Sequence, residues 1–338
     1  MNVEVMVEGR RAPGEEPPKW TDDAEVDGFV DDVMRGLRCR PREIPCKYLY
    51  DQRGSELFNA ICEVEEYYPT RTEMALIAAQ LDAIADFVGP GATLVDLGAG
   101  NGEKTGMLLD RLEGLRAWVP VDISPVELRR CARRMKRRFP KLTVAPVCAD
   151  YTGEWQLPAT GPGRRVFAFP GSTIGNFSPE EARWFLRSLA EKAGPGGGLL
   201  VGVDLHKDRR ILEAAYNDAA GVTAEFNKNL LRRINRECGA DFRLESFVHQ
   251  AVYDEEERRI EMRLRSTEEQ ALWCGGEQFW FDPGEFIVTE HSYKYTIEAF
   301  AALAEDAMWR VRGVWTDRRQ YFSVWALEAA PEVTGTGR

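Results

Sequence analysis

Histidine is scarce in this chain. Its 338 residues include His206, His249 and His291 and no others. No spacing among them, or between them and cysteine, matches a zinc-binding pattern, so no metal is expected. The seven cysteines, Cys39, Cys46, Cys62, Cys131, Cys148, Cys238 and Cys274, form no C-x-x-C pair. An odd set of scattered thiols suits a reducing compartment, and a cytoplasmic location is expected. No apolar run approaches the roughly 18 residues of a membrane-spanning helix. The opening stretch MNVEVMVEGRRAPGEEPPKW lacks the basic start and apolar run of a secretory leader. Positive charge is also in deficit: 44 Lys and Arg face 55 Asp and Glu, a formal charge of −11. A protein that grips nucleic-acid phosphate over a wide surface usually has the opposite balance. Neither a nucleic acid nor a membrane is therefore expected as a partner. The basic run Arg129–Arg138 reads as one solvated helix face.

Apolar residues make up 44% of the chain, enough for a packed core and too many for a disordered protein. Residues 1–24 read as a flexible tail rich in Pro and charge. VDGFVDDVMRGL has helical spacing from Val26 to Leu37. Ser55 is a candidate cap for a short helix, EYYPTR reads as a loop, and Thr72 is a candidate cap for a helix to about Val88. From residue 93 a regular alternation begins. TLVDL, AWVPVD, LTVAPVCAD, RVFAFP and GGLLVGVD read as buried strands, with helices at Pro125–Phe139 and Pro179–Ala193 among the connections. This rhythm predicts an α/β fold with a doubly wound parallel sheet. Its ligand should lie outside the C-terminal strand ends. After Asp204 the rhythm breaks into helices over Arg210–Arg236, then a hairpin around DEEERR, then a short strand FIVTEHSYKYT.

DLGAGNG places Gly98, Gly100 and Gly102 between a strand and a helix, where glycine permits a tight turn and close ligand approach. The spacing departs from the dinucleotide G-x-G-x-x-G pattern, which disfavours a pyrophosphate. Asp122 ends the second strand, where a carboxylate can accept from ribose hydroxyls. Asp150 ends the third, where it can accept from an adenine amine, with Tyr151 beside the ring. Lys104, just inside the helix after the glycine loop, can hold an anion such as a methionyl carboxylate. Taken singly, each aspartate is more often a solvated strand end or a helix cap, and the lysine a surface residue. Together they favour an adenosine-containing ligand.

Several motifs carry a resemblance. EYYPTRTE, the glycine loop with EKT, FPGSTIGNFSPEEA, AYNDAAGVTAEFNKNLL, RRIEM and TEHSYKY resemble the histidine Nα-methyltransferases of ergothioneine biosynthesis, over about residues 40–327. The resemblance implies a class I, Rossmann-like methyltransferase sheet, closed by a helix and a hairpin, with a second α+β domain for substrate. The expected divisions are 25–60 for N-terminal helices joining the substrate domain and 61–204 for the cofactor domain. An inserted substrate domain at 205–285 and a return to the sheet at 286–330 follow. The implied cofactor is S-adenosyl-L-methionine, leaving as S-adenosyl-L-homocysteine, and the implied substrate is L-histidine, trimethylated to hercynine; a monomer is expected. Gly98, Gly100, Lys104, Asp122, Asp150 and Tyr151 fall at cofactor positions. Tyr67, Asn176 and Tyr216 match residues holding the amino-acid end of the substrate, with Tyr67 also close to its side chain; Tyr67 and Asn176 are the catalytic candidates. Glu290 and Ser292 match the imidazole-recognising pair and Met262 a pocket wall, while Tyr50, Gly171 and Thr173 line the site. Two positions depart from the family: the residue after Asp150 is commonly Phe, and some relatives carry GSGTS where this chain has GAGNG.

The residues suit that chemistry. Methyl transfer from a sulfonium is an in-line displacement that needs alignment of a neutral amine and neither metal nor covalent nucleophile. Ser178, Pro179 and Glu181 compose a capping box that would fix the loop holding Asn176. Glu290 and Ser292, two apart on a strand, face the same way and can serve both imidazole nitrogens. His291 then points the other way. Two alternatives stay open: an amino-acid Nα-methyltransferase acting on a tryptophan derivative, and a catalytically silent binding module.

Overall fold

The computed structural model describes residues 23–331, with side chains from Gly28 onward. The expected tail lies outside the described residues, apart from its last two positions, which open a helix. In chain order, α1 (Asp23–Arg38), β1 (Arg42–Glu43), α2 (Gln52–Glu63), α3 (Tyr68–Ala79) and α4 (Leu81–Val88) come first. Next come β2 (Thr93–Leu97), α5 (Glu103–Arg111), β3 (Ala117–Asp122), α6 (Pro125–Arg138), β4 (Thr143–Val144) and β5 (Val147–Cys148). They are followed by β6 (Arg165–Phe169), α7 (Pro179–Ala193), β7 (Gly198–Asp204), α8 (Arg209–Tyr216) and α9 (Val222–Cys238). The last are β8 (Phe247–Asp254), β9 (Arg259–Ser266), β10 (Gln270–Cys274), β11 (Glu277–Phe281), β12 (Phe286–Tyr293), α10 (Ile297–Asp306), β13 (Trp309–Thr316) and β14 (Phe322–Ala329).

These elements fall into two compact units. The first holds residues 69–206 and 295 onward, and the second the described residues up to Tyr68 together with 207–294. The boundaries differ from those read in the sequence. Residues 61–68 and 286–294 belong to the second unit, the latter because β12 pairs antiparallel with β9 and parallel with β1 and takes no place in the larger sheet.

The first unit is an α/β sandwich around one sheet in the order β13-β14-β7-β6-β2-β3-β4, with β5 also on β3. The strands from β7 to β4 are parallel, and β14 and β13 close the sheet antiparallel. Every residue of β2 and of β7 is buried, as expected of strands covered on both faces. One face packs Leu76, Ile77, Ile84, Leu108 and Met135 from the flanking helices with Trp118 of β3. On the other, Phe300 of α10 meets the Trp325 ring at 5.0 Å. The strand order reverses at β2, between β3 and β6, which opens a crevice at the strand C-termini.

Local starts differ from the sequence reading for identifiable reasons. Asp51 caps α2, accepting from the Gly54 N–H at 2.7 Å, so Ser55 lies inside the first turn. The segment read as a loop at EYYPTR already begins α3 at Tyr68; Pro69 fits a first turn, where no N–H is required, and Thr72 is interior. LTVAPVCAD is not one strand: Pro146 separates β4 from β5, since it has no N–H for the ladder, and Asp150 lies two residues past the strand end. The capping box at α7 forms, with the Glu181 N–H donating to Ser178 Oγ at 3.3 Å and the Ser178 N–H to the Glu181 carboxylate at 2.8 Å.

In the second unit α9 packs on α2 and on a four-stranded sheet in the order β1-β12-β9-β8. Phe226, Leu230 and Ile234 of α9 are buried. β8 and β9 are the hairpin read around DEEERR. β10 and β11 make a second hairpin around Gly275–Gly276 that the sequence reading passed over.

Candidate functional site

In the first unit the crevice is lined by the loops after β2, β3, β5 and β6. Gly98 has φ 70°, a left-handed conformation that side chains disfavour, and a Cβ there would lie 3.8 Å from the Tyr151 ring. Gly102 has no room for a side chain at all: a Cβ would come within 2.4 Å of Cys131 Sγ. The Gly100 N–H donates to Asp122 at 3.0 Å and the Ser124 N–H at 2.9 Å, so this carboxylate ties the glycine loop to the start of α6. Burial pushes the Asp122 carboxyl above its ordinary range, against these hydrogen bonds. Each carboxylate oxygen has a second lone pair, which leaves acceptor capacity beyond the two backbone donors. Asp150 accepts the Thr152 N–H at 2.9 Å, so it also caps its own turn. Tyr151 stands edge-on to Phe169 at 5.6 Å.

Lys104 is not a lone surface lysine. Its ammonium pairs with Glu73 at 2.6 Å, and both Glu73 oxygens accept from the Gly171 N–H at 2.8 and 2.9 Å. Glu73 is 1% exposed. It joins α3, α5 and the loop after β6, and a Cβ on Gly202 would strike it. Thr173 Oγ1 donates to the Pro170 carbonyl at 3.1 Å, and Asn176 ends the 3-10 turn Thr173–Asn176. Just before that turn, Ser172 holds φ 57°, strained for a residue other than glycine, while its Oγ accepts the Asp204 N–H at 2.8 Å. Asp96, at the head of the glycine motif, is fully buried and accepts from Thr105; burial pushes it up to about 6.

The second unit gathers its own set. Tyr67 meets Tyr216 edge-on at 6.1 Å and Phe58 at 6.2 Å, and Tyr50 meets Phe58 and Phe226, both at 5.4 Å. These rings make a continuous aromatic wall. β12 supplies the polar side. The pairing register slips between Val288 and Glu290, a bulge of the kind that re-aims side chains at sites. Glu290 then lies opposite Met262, and Ser292 opposite Ile260. Glu290 and Ser292 are both buried. Ser292 Oγ and the Tyr216 hydroxyl are hydrogen-bonded at 2.8 Å. Lys294, 2% exposed, donates to Ser292 Oγ at 2.7 Å and to the Tyr216 hydroxyl at 3.0 Å. Burial pushes the Glu290 carboxyl up to about 7, with the Lys294 charge pulling the other way. Burial also raises the Tyr67 phenol well above its ordinary value, so it stays protonated.

A buried network braces this set. His249 Nε2 meets the Tyr216 carbonyl at 2.8 Å, and the Asn227 amide meets His249 Nδ1 at 2.9 Å. Thr289 donates to the Asn227 carbonyl at 2.7 Å. Burial holds the His249 imidazole below its ordinary value, consistent with a neutral ring that donates through Nε2 and accepts at Nδ1. His291 turns away, with Nε2 3.7 Å from Glu261.

A profile described as histidine-specific, SAM-dependent methyltransferase matches residues 29–329. The chain is 42% identical over 299 residues to a histidine N-alpha-methyltransferase of Mycobacterium tuberculosis, covering 87% of this chain and 92% of that one. It belongs to the histidine-specific, SAM-dependent methyltransferases. A histidine N-alpha-methyltransferase of Mycolicibacterium smegmatis is 40% identical, covering 87% of this chain and 93% of that one. Ergothioneine biosynthesis protein 1 of Neurospora crassa is 30% identical, covering 83% of this chain and 32% of that one.

Three side chains of this SAM-dependent methyltransferase escaped the sequence reading. Phe58 carries no signal beyond an apolar position on an amphipathic helix. Glu73 looks like any helix-surface carboxylate until β7 is brought against it at Gly202. Lys294 did carry a signal, for it extends the Glu290, Ser292 alternation by one step. Among the described residues no cluster of metal-ligating side chains occurs, and no helix is long and apolar enough to cross a membrane.

Proposed function

We propose that this methyltransferase transfers methyl groups from S-adenosyl-L-methionine to the α-amino group of L-histidine until the trimethyl betaine hercynine is formed, a step of ergothioneine biosynthesis. The observation that carries the reading is the buried Glu290 with Ser292 beside it. A carboxylate without water needs a strong donor, and an imidazole N–H is one. A hydroxyl two residues along meets the second ring nitrogen, whereas an indole offers a single N–H.

The first unit's residues fit the cofactor, which supplies an electrophilic methyl on a sulfonium. Gly98 leaves the space beneath Tyr151 free of a side chain, where an adenine ring can lie. Asp122 retains acceptor capacity for a ribose diol, and Asp150 for the adenine amine. Lys104 and Gly171, joined through Glu73, line the crevice, with Lys104 the group for a methionyl carboxylate. On the substrate side, the resemblance assigns Tyr67, Asn176 and Tyr216 to the amino-acid end and Met262 and Tyr50 to the ring. Asn176 can accept from the amine and donate to the carboxylate. The α-amine reaches its neutral form by losing a proton to water at basic pH. Tyrosine faces tolerate the growing alkylammonium through cation–π attraction.

Incubation of the purified protein with S-adenosyl-L-methionine and each common amino acid, read by mass spectrometry, tests this directly. Histidine should gain successive methyl groups up to the betaine. Methylation of tryptophan with histidine untouched would refute the substrate, and no product from any amino acid would refute the enzyme.

A further inference from the structure

Lys294 is buried, follows the last residue of β12, and donates to the hydroxyls of Ser292 and Tyr216. Those two hydroxyls also bond each other. Lys294 fills one acceptor position of Ser292 Oγ, while between Ser292 and Tyr216 either hydroxyl can be the donor. When Tyr216 donates, Ser292 keeps its own O–H to give to a ring nitrogen. In either arrangement the Lys294 charge stands one hydrogen bond behind Ser292, against a second ring proton. Resting on the histidine reading above, we propose that Lys294 is a positioning residue that makes the pocket select a neutral imidazole, one N–H toward Glu290 and one lone pair toward Ser292, and reject the imidazolium.

The surroundings support this division of labour. The groups facing Lys294 include Tyr216 on α8, Glu290 and Ser292 on β12 and Tyr253 on β8. Tyr67 faces Glu290 and Tyr216. The Lys294 N–H is held by the Arg258 carbonyl at 2.7 Å, which fixes the stem. Among these groups Glu290 is the carboxylate. Alone with a histidine ring, a buried carboxylate would prefer an imidazolium, since a charged pair is the stronger bond. An ammonium on the far side of the ring reverses that preference, because a second N–H pointing at Ser292 would face like charge.

Hercynine is the probe that isolates the effect, since its quaternary α-nitrogen cannot titrate. Calorimetric affinity is measured at pH 6 and pH 8 for the unsubstituted protein, Lys294→Met and Lys294→Arg. Glu290 and the free ring both take up protons near pH 6.5 to 7, and a complex that excludes the proton must weaken on acidification. The unsubstituted protein should bind on the order of tenfold more weakly at pH 6. Lys294→Met should lose affinity at pH 8 and show a ratio near one, and Lys294→Arg should restore the ratio. A merely structural lysine would lower affinity equally at both pH values, and an unchanged ratio in Lys294→Met overturns the proposal. Lys294→Gln, which keeps hydrogen bonding without charge, should give the same flat ratio if the methionine variant does not fold. A flat ratio in the unsubstituted protein also overturns it. No hercynine binding at any pH would overturn the histidine reading itself, and this inference with it.

Discussion

Glu73 offers the sharpest test of how the sheet unit is held. Its carboxylate is 1% exposed, pairs with Lys104 at 2.6 Å and takes the Gly171 N–H on both oxygens. Replacing Glu73 by Ala removes the anion and strands two donors. A broken buried pair costs about 3–5 kcal/mol when the partner cannot escape. Lys104 is 23% exposed and can partly reach water, which lowers that figure. The orphaned Gly171 N–H and the void against Gly202, beside an existing cavity of about 20 Å³, add to it. A net loss of about 3 kcal/mol is expected, or on the order of 10 °C in the melting temperature of a unit this size. Glu73→Gln keeps an acceptor for Gly171 and fills the space, so it should lose about 1 kcal/mol. Trp118, Trp309 and Trp325, all buried in this unit, report its unfolding by fluorescence in urea. Cofactor affinity should fall in both variants, since the loop after β6 and Lys104 lose their shared anchor. An alanine variant that unfolds at the unsubstituted midpoint would refute the reasoning.

Three further outcomes follow from the geometry. Glu290 is raised from 4.5 to about 7, so the folded chain retains a proton between those values that the unfolded chain has lost; stability must fall by about 3 kcal/mol as pH rises across that window. Glu290→Gln should abolish this slope in denaturation curves at pH 5 and pH 8, and should weaken histidine use far more than cofactor binding. Asp122→Ala should weaken S-adenosyl-L-methionine about 10- to 100-fold by calorimetry, from the hydrogen bonds a charged acceptor contributes, and leave the second unit's stability unchanged. Ser178→Ala removes one half of the α7 capping box and should cost about 1 kcal/mol in urea denaturation.

The sheet was legible because its strands are unbroken apolar runs with turn residues at fixed places. β2, buried along its whole length, reads the same in sequence and in space. The capping box at Ser178 was legible for a similar reason, since all its parts lie within four residues. What failed was competition between local signals. Thr72 and Ser55 are good caps, yet Pro69 and Asp51 start their helices earlier. Pro146 splits a strand whose hydrophobicity looks continuous. The boundary near 286 failed because an apolar, alternating segment fits either sheet, and only pairing with β9 decides. Glu73 and the partners of Lys104 were illegible because they depend on contacts across more than thirty residues of chain.

The larger sheet finishes on two unlike borders. On one side the last pairing is only two residues at β4 and two at β5, parted by Pro146. On the other, β13 carries Arg310 and Arg312 and a register slip between Val311 and Gly313. A proline, a short ladder, lysine-like charge and a twist each deny an incoming strand a straight row of partners. In a crowded solution, or while the chain is still being made, neither border templates sheet growth from one molecule into the next.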